Sequence, residues 1–290
     1  MMHFPIADSH FHLLDNRRFT YPWMDSASDL NQPFLLSSMM EATKSLHIES
    51  FVFVQAECDV SQTLAEVQWV SELALKDTRL QAIVARAAIE RGEGVVAELE
   101  ALKKYPLVKG VRRILLAESM EFCLQPDFIV GVQALAGFNY RFDLCVKPYH
   151  LPFVAQLVEQ CPEVHFILEH LGCPDMTEGD LQSWKTNLTR LASLPNVSAK
   201  ISGLITESLH QGWCSDDLKP IIFHAIDVFS VDRLMFGSDW PVVNLASSYT
   251  HWVHTLYDLL SRQLTEKELK KLFYENTRRA YQITRETMAV

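Results

Sequence analysis

The chain has 290 residues, 48% of them hydrophobic, and a formal net charge of −10. That length and apolar content suit one large domain, and no Gly-, Ser- or Pro-rich run divides the chain into halves. The acidic balance excludes the basic face of a nucleic-acid binder, and no apolar run reaches membrane-spanning length.

The six cysteines (Cys58, Cys123, Cys145, Cys161, Cys173 and Cys214) are scattered, with no CxxC pair. They predict reduced thiols in a cytoplasmic protein. The N-terminus lacks a basic stretch followed by an apolar one, so no secretory signal is expected.

The first apolar run, Phe4-Pro5-Ile6-Ala7, leads into Asp8-Ser9-His10-Phe11-His12. Side chains two apart on a strand share a face, about 6.6 Å apart along the backbone. His10 and His12 therefore converge on one point, with Phe11 turned away. Imidazoles in that relation suit zinc or a similar divalent ion. The loop from Leu13 to Met24 follows, and Tyr21 and Trp23 in it either pack against a ligand ring or anchor the loop.

A helix is expected around Phe34 to Leu46. Ser50 to Ala56 then reads as a strand apolar on both faces, as in parallel sheets. Glu66 to Leu75 has helical spacing. Strands are predicted at Leu80–Ala87, Val108–Arg113, Arg141–Lys147, Val164–His170, Asn196–Gly203 and Arg233–Asp239. The helices between them run from Val95 to Lys104, Pro126 to Ala136, His150 to Gln160, Leu181 to Leu194 and Leu218 to Phe229. Two C-terminal helices are expected, Trp252 to Leu260 and Glu266 to Tyr281.

Eight strands alternating with helices predict a single-domain (β/α)₈ TIM barrel over residues 1–290. Barrel sites lie at the C-terminal ends of the strands, where His10, His12, His170 and Asp239 all fall. Closure brings Asp239, on the last strand, beside His10 and His12 on the first. Such a group can hold a divalent ion, or Asp239 can take a proton from an attacking water.

These residues resemble a known family. His-x-His on the first strand, His170 on the sixth and Asp239 on the eighth form the pattern of the amidohydrolase superfamily. Within it, Gly110-Val111-Arg112, Leu124-Gln125-Pro126-Asp127-Phe128, His150-Leu151-Pro152, Glu169-His170-Leu171-Gly172, Lys200-Ile201-Ser202-Gly203-Leu204 and Phe236-Gly237-Ser238-Asp239-Trp240-Pro241 are similar to the amidohydrolase 2 lactonases. The likeness runs from Asp8 to about Tyr281 and leans to the sugar-lactone branch through Asn244 to Tyr249.

The resemblance implies a hydrolase that opens a sugar lactone to its hydroxy acid. Asp239 would be the general base, His170 a catalytic partner, and His10, His12 and Asp239 the ligands of one divalent ion, zinc first. Binuclear members carry a lysine or glutamate on strand four and a histidine on strand five. This chain has Arg112-Arg113 and Lys147-Pro148-Tyr149 there, cations that repel a second metal. The lactonase group includes metal-independent members, so the ion is expected to be weakly held or dispensable.

Neighbours on a strand alternate, so one of Arg112 and Arg113 points inward, and the resemblance favours Arg112. Arg112 and Lys147 are the expected substrate-binding cations, with Trp23 and Trp240 beside them. The bland alternative for Arg112 is a structural ion pair with a barrel acid such as Glu57. Aromatics at strand ends often serve packing. His150, His224, His251 and His254 read as surface or packing residues. The alternative chemistry is a dicarboxylate pyrone or muconolactone lactonase, or an aromatic-acid decarboxylase, on the same barrel. The expected partner is a small lactone, with no nucleic acid and no membrane, and self-association into a homo-oligomer is left open.

Overall fold

The computed structural model describes residues 2–24, 28–176, 181–207 and 213–284. Eight parallel strands form one sheet in the order of the chain. They are β1 (Ile6–Phe11), β2 (Ile48–Val54), β3 (Leu80–Arg86), β4 (Val108–Ile114), β5 (Arg141–Cys145), β6 (Phe166–Leu168), β7 (Val197–Ile201) and β8 (Leu234–Phe236). Each follows its predecessor through a helical connection, the crossover that parallel pairing requires.

The sheet closes through the main chain just beyond β8. Asp239 N–H donates to His10 O at 2.8 Å and His12 N–H to Trp240 O at 2.7 Å. Phe11 and Trp240 are bridged in parallel. Closure thus uses the residues that carry the site, which is why β1 and the end of β8 share it.

The main helices are α1 (Leu36–Thr43), α2 (Thr63–Ala74), α3 (Val96–Leu102), α4 (Pro126–Ala134), α5 (Leu151–Gln160) and α6 (Gln182–Ala192). After them come α7 (Leu204–Glu207), a single turn, α8 (Ser215–Phe229) and α9 (Tyr249–Leu260). The predicted terminal helix is one run in three pieces: α10 (Glu266–Lys270), a wider turn over Lys271–Glu275, and α11 (Asn276–Ala280).

Alternation divides the core in two. Phe51, Phe53 and Phe11 face the helices, with Phe11 4.8 Å from Phe51 ring to ring. Val52, Val54, Ala82, Val84, Ile167 and Met235 fill the barrel interior, where Tyr281 and Ile283 join them from the chain's C-terminal segment. That segment plugs the floor of the barrel. Among the described residues no helix is long and apolar enough to cross a membrane.

β6 and β8 stop two and three residues short of the predicted ends. The cause is local backbone geometry. His170 (φ 52°), Leu171 (φ 52°) and Asp239 (φ 58°) are left-handed and cannot continue a strand, and Glu57 (φ 51°) does the same after β2. Non-glycine residues in that region cost energy and cluster where function needs a particular side-chain direction. Here three of them, Glu57, His170 and Asp239, turn over the top of the barrel.

Candidate active site

The site begins with Asp8, fully buried in β1. Its Oδ1 accepts from His10 N–H at 3.0 Å and from Ser238 N–H at 2.9 Å, and its Oδ2 accepts from Tyr249 O–H at 2.9 Å. Burial pushes the Asp8 carboxyl up to about 6, against these donors. Asp8 therefore staples β1 to the end of β8 and sets the height of both histidines.

His10 Nε2 and His12 Nε2 are 3.2 Å apart, and each lies 3.4 Å from Asp239 Oδ1. His170 joins His10 and Asp239 in a buried group whose ligand atoms lie within 4.8 Å of one another. The far side of each ring decides which nitrogen is bare. His12 Nδ1 donates to Val54 O at 2.7 Å, so Nε2 carries a lone pair. His10 Nδ1 lies 3.2 Å from both Glu169 Oε1 and Lys200 Nζ. Donation to the carboxylate gives His10 the same tautomer as His12. Burial keeps the His10 imidazole neutral, lowering its pKa well below the ordinary value, with the Glu169 charge opposing it.

Two imidazole nitrogens and a carboxylate oxygen then face one point, an arrangement that a cation resolves. Their spacing fits one. Tetrahedral zinc at about 2.0–2.1 Å from nitrogen or oxygen places its ligands about 3.3 Å apart. His10, His12 and Asp239, with His170 beside them, therefore suit a single divalent ion. Burial pushes the Asp239 carboxyl up, but the imidazoles of His170, His12 and His10 outweigh it and bring it down to about 2.

His170 is held by Ser202, whose Oγ lies 2.9 Å from Nδ1. The ring has room only because residue 203 is glycine. A Cβ there would stand 2.5 Å from His170 Nδ1, and Gly203 is itself left-handed at φ 63°. The Ser202-Gly203 pair thus seats the sixth-strand histidine from the seventh strand.

Beneath the histidines lies a buried charged layer that sequence reasoning did not assign. Glu169 Oε2 accepts from Arg112 Nη1 at 3.0 Å, and its Oε1 lies 3.3 Å from Lys200 Nζ. Lys200 also donates to Asp143 Oδ2 at 2.6 Å, which accepts from Tyr281 O–H at 2.6 Å. Burial alone would raise the Glu169 carboxyl, yet Arg112, His10 and Lys200 hold it well below its usual range. A visible signal existed: charged residues inside otherwise apolar parallel strands, Asp143 in β5 and Lys200 in β7, need partners across the barrel.

A cavity of about 540 Å³ opens over this centre. His12, His170, Asp239, Arg112 and Trp23 are among its lining residues. Trp23 is fixed by its Nε1–H, which donates to Ala56 O at 2.8 Å. Arg112, not Arg113, reaches the cavity; Arg113 turns to Glu90 and Glu118. Arg112 pairs with Glu169 instead of Glu57, and its Nη2 donates to Gln55 O.

Two candidates sit elsewhere. Lys147 is half-buried outside the cavity lining, at the turn into α5, where its N–H donates to His150 Nδ1 at 3.1 Å. The chain leaves β5 at Cys145, and Cys145 takes the lining position. Trp240 is buried away from the cavity, edge-on to Phe34 at 5.6 Å. His150 is a buried packing residue, as expected. Glu57, expected only as an ion-pair partner, and Arg86, not singled out in the sequence, line the cavity.

A closed parallel barrel with a buried histidine–carboxylate centre at its C-terminal mouth defines an amidohydrolase-type protein. The amidohydrolase family profile matches residues 7–283, and the chain belongs to that family. It is similar to L-fucono-1,5-lactonase of Burkholderia multivorans, 30% identical over 286 residues, which cover 94% of this chain and 95% of that protein. It is also 30% identical to 4-sulfomuconolactone hydrolase of Rhizobium radiobacter over 113 residues, 38% of this chain and 37% of that one. Among solved structures, a zinc-bound amidohydrolase from Burkholderia multivorans superposes with a TM-score of 0.86 at 28% identity, covering 97% of this chain and all of that one.

Proposed function

We propose that the chain is a metal-assisted hydrolase, one barrel domain throughout, that opens a sugar lactone to the corresponding hydroxy acid. The observation that carries this reading is the meeting of His10 Nε2, His12 Nε2 and Asp239 Oδ1, 3.2–3.4 Å apart, at the edge of the cavity. The likeness to L-fucono-1,5-lactonase over nearly the whole chain supports the substrate class.

His10, His12 and Asp239 would hold the ion, which when bound acidifies water and polarises a carbonyl oxygen. The protein supplies the rest. Asp239, ionised in the folded chain, accepts a proton from the attacking water. The new C–O bond forms at the lactone carbonyl, the ring C–O bond breaks, and the proton passes to the departing ring oxygen. His170, seated by Ser202 and Gly203, faces the carbonyl and stabilises the oxyanion. Trp23 and the apolar wall of Ile114, Leu116 and Val242 hold the ring and exclude water.

The test is acid release measured by pH-stat against a panel of aldonolactones of both ring sizes, with metal analysis of the purified protein. Hydrolysis of at least one sugar lactone, lost on chelation and restored by zinc, is expected. Absence of acid release from every lactone by metal-loaded protein overturns the reading.

A further inference from the structure

Arg86 ends β3 and is paired in register with Arg112 of β4. Both residues line the cavity, yet the circumstances of their side chains are opposite. Arg112 is engaged by Glu169 and by the carbonyl of Gln55. The Arg86 side chain makes no hydrogen bond, ion pair or ring contact with any described residue. It is half-buried, so part of its hydration is lost without an ion pair or hydrogen bond from a described residue to replace it. A guanidinium cannot shed its charge to relieve this.

The acids on the same wall, Glu57 and Asp59, form no ion pair with it and are bonded elsewhere. Glu57 Oε1 accepts from Gln55 Nε2 at 2.6 Å, and Asp59 Oδ1 accepts from Ser61 N–H at 2.9 Å and Ser61 O–H at 2.5 Å. Arg86 is therefore a cation presented to whatever fills the cavity. Its planar fork matches a carboxylate through two parallel bonds between opposite charges, a geometry and charge that a neutral ring hydroxyl does not offer.

We propose that Arg86 sets the substrate class by binding a carboxylate carried on the lactone, so that the enzyme favours sugar lactones that keep a second acid group. This rests on the lactonase reading. It also separates two tasks, since Arg112 secures the floor of the centre while Arg86 reads the substituent.

The test compares kcat/KM for a neutral aldonolactone and for an aldaric acid monolactone of the same ring size in wild type, Arg86→Met and Arg86→Lys. Wild type should prefer the acid-bearing lactone, and Arg86→Met should lower that preference about tenfold to a hundredfold, the worth of hydrogen bonds to a charged group. Arg86→Lys should recover only part, having charge without the fork. An unchanged preference in Arg86→Met overturns the proposal. Should wild type hydrolyse neither lactone, the lactonase reading fails, and calorimetric titration of the open aldarate still decides on Arg86. Binding weakened at least tenfold in Arg86→Met supports it, while equal binding, or none by wild type, overturns it.

Discussion

Arg112 Nη1 donates to Glu169 Oε2 at 3.0 Å, tying β4 to the residue immediately before His170. Both side chains are buried. The other oxygen of the same carboxylate is 3.2 Å from His10 Nδ1. A cation on the fourth strand therefore steadies the carboxylate that contacts an imidazole on the first. Outer partners of this kind orient ligating histidines and raise their basicity.

Removing the guanidinium should expose that dependence. Arg112→Met leaves Glu169 buried with Lys200 as its remaining cation, and breaking one side of a buried pair costs about 3–5 kcal/mol. Urea unfolding should show a loss of that order, and kcat should fall because His10 loses its fixed orientation. A variant of normal stability whose only defect is a raised KM would show that Arg112 is chiefly a substrate ligand.

A second prediction concerns acid stability at the opposite end of the barrel. His165 lies with Arg141, Arg233 and Arg279 around a cavity at the barrel floor, and its Nε2 is 3.0 Å from Ser198 Oγ. Burial first, then the three arginines, push its pKa from 6.5 down to about 4. Between those values the unfolded chain binds a proton that the folded chain refuses. The stability from neutral His165 is complete above pH 6.5 and is lost as the pH falls through about 4, an effect of about 3 kcal/mol at most. His165→Gln does not titrate, so its unfolding free energy should decline less than that of wild type between pH 7 and pH 4. Parallel decline in the two proteins would remove His165 from the acid response.

The barrel was legible in the sequence because burial on both faces leaves parallel strands such as Phe51-Val52-Phe53-Val54 apolar throughout, and helices intervene each time. The convergence of His10 and His12 follows from the two-residue period of a strand, and that of Asp239 from closure. The charged layer was harder to read. Asp143 and Lys200 stand on two different strands and Glu169 just beyond a third, and only the closed barrel shows that they meet. The exits from β5, β6 and β8 were missed for a related reason. A left-handed His170 or Asp239 has no signature in side-chain pattern, and the early exit of the chain after Cys145 is what puts Lys147 outside the cavity. Arg86 was overlooked because the lack of a side-chain partner among the described residues is a property of the folded neighbourhood.

The last prediction concerns Asp239, whose main chain closes the barrel and to which the proposed function gives both ligation and proton transfer. Asp239→Asn keeps the side-chain shape and removes the carboxylate that the surrounding imidazoles hold ionised. The backbone should tolerate the change. Asparagine accepts the left-handed conformation at φ 58° more readily than most residues, and the 2.8 Å bond to His10 O uses the main-chain N–H, which survives. Thermal unfolding should therefore stay close to wild type. Turnover should not, because an amide cannot take the proton from water and is a poorer ligand than a carboxylate. Loss of a general base lowers the rate about 10²–10⁴-fold, and the fall should appear in kcat together with a reduced metal content. Alanine would confound the test by straining the turn, so asparagine is the informative substitution. A folded Asp239→Asn protein within about tenfold of wild-type turnover, short of the general-base range, would leave Asp239 as a turn residue that closes the barrel.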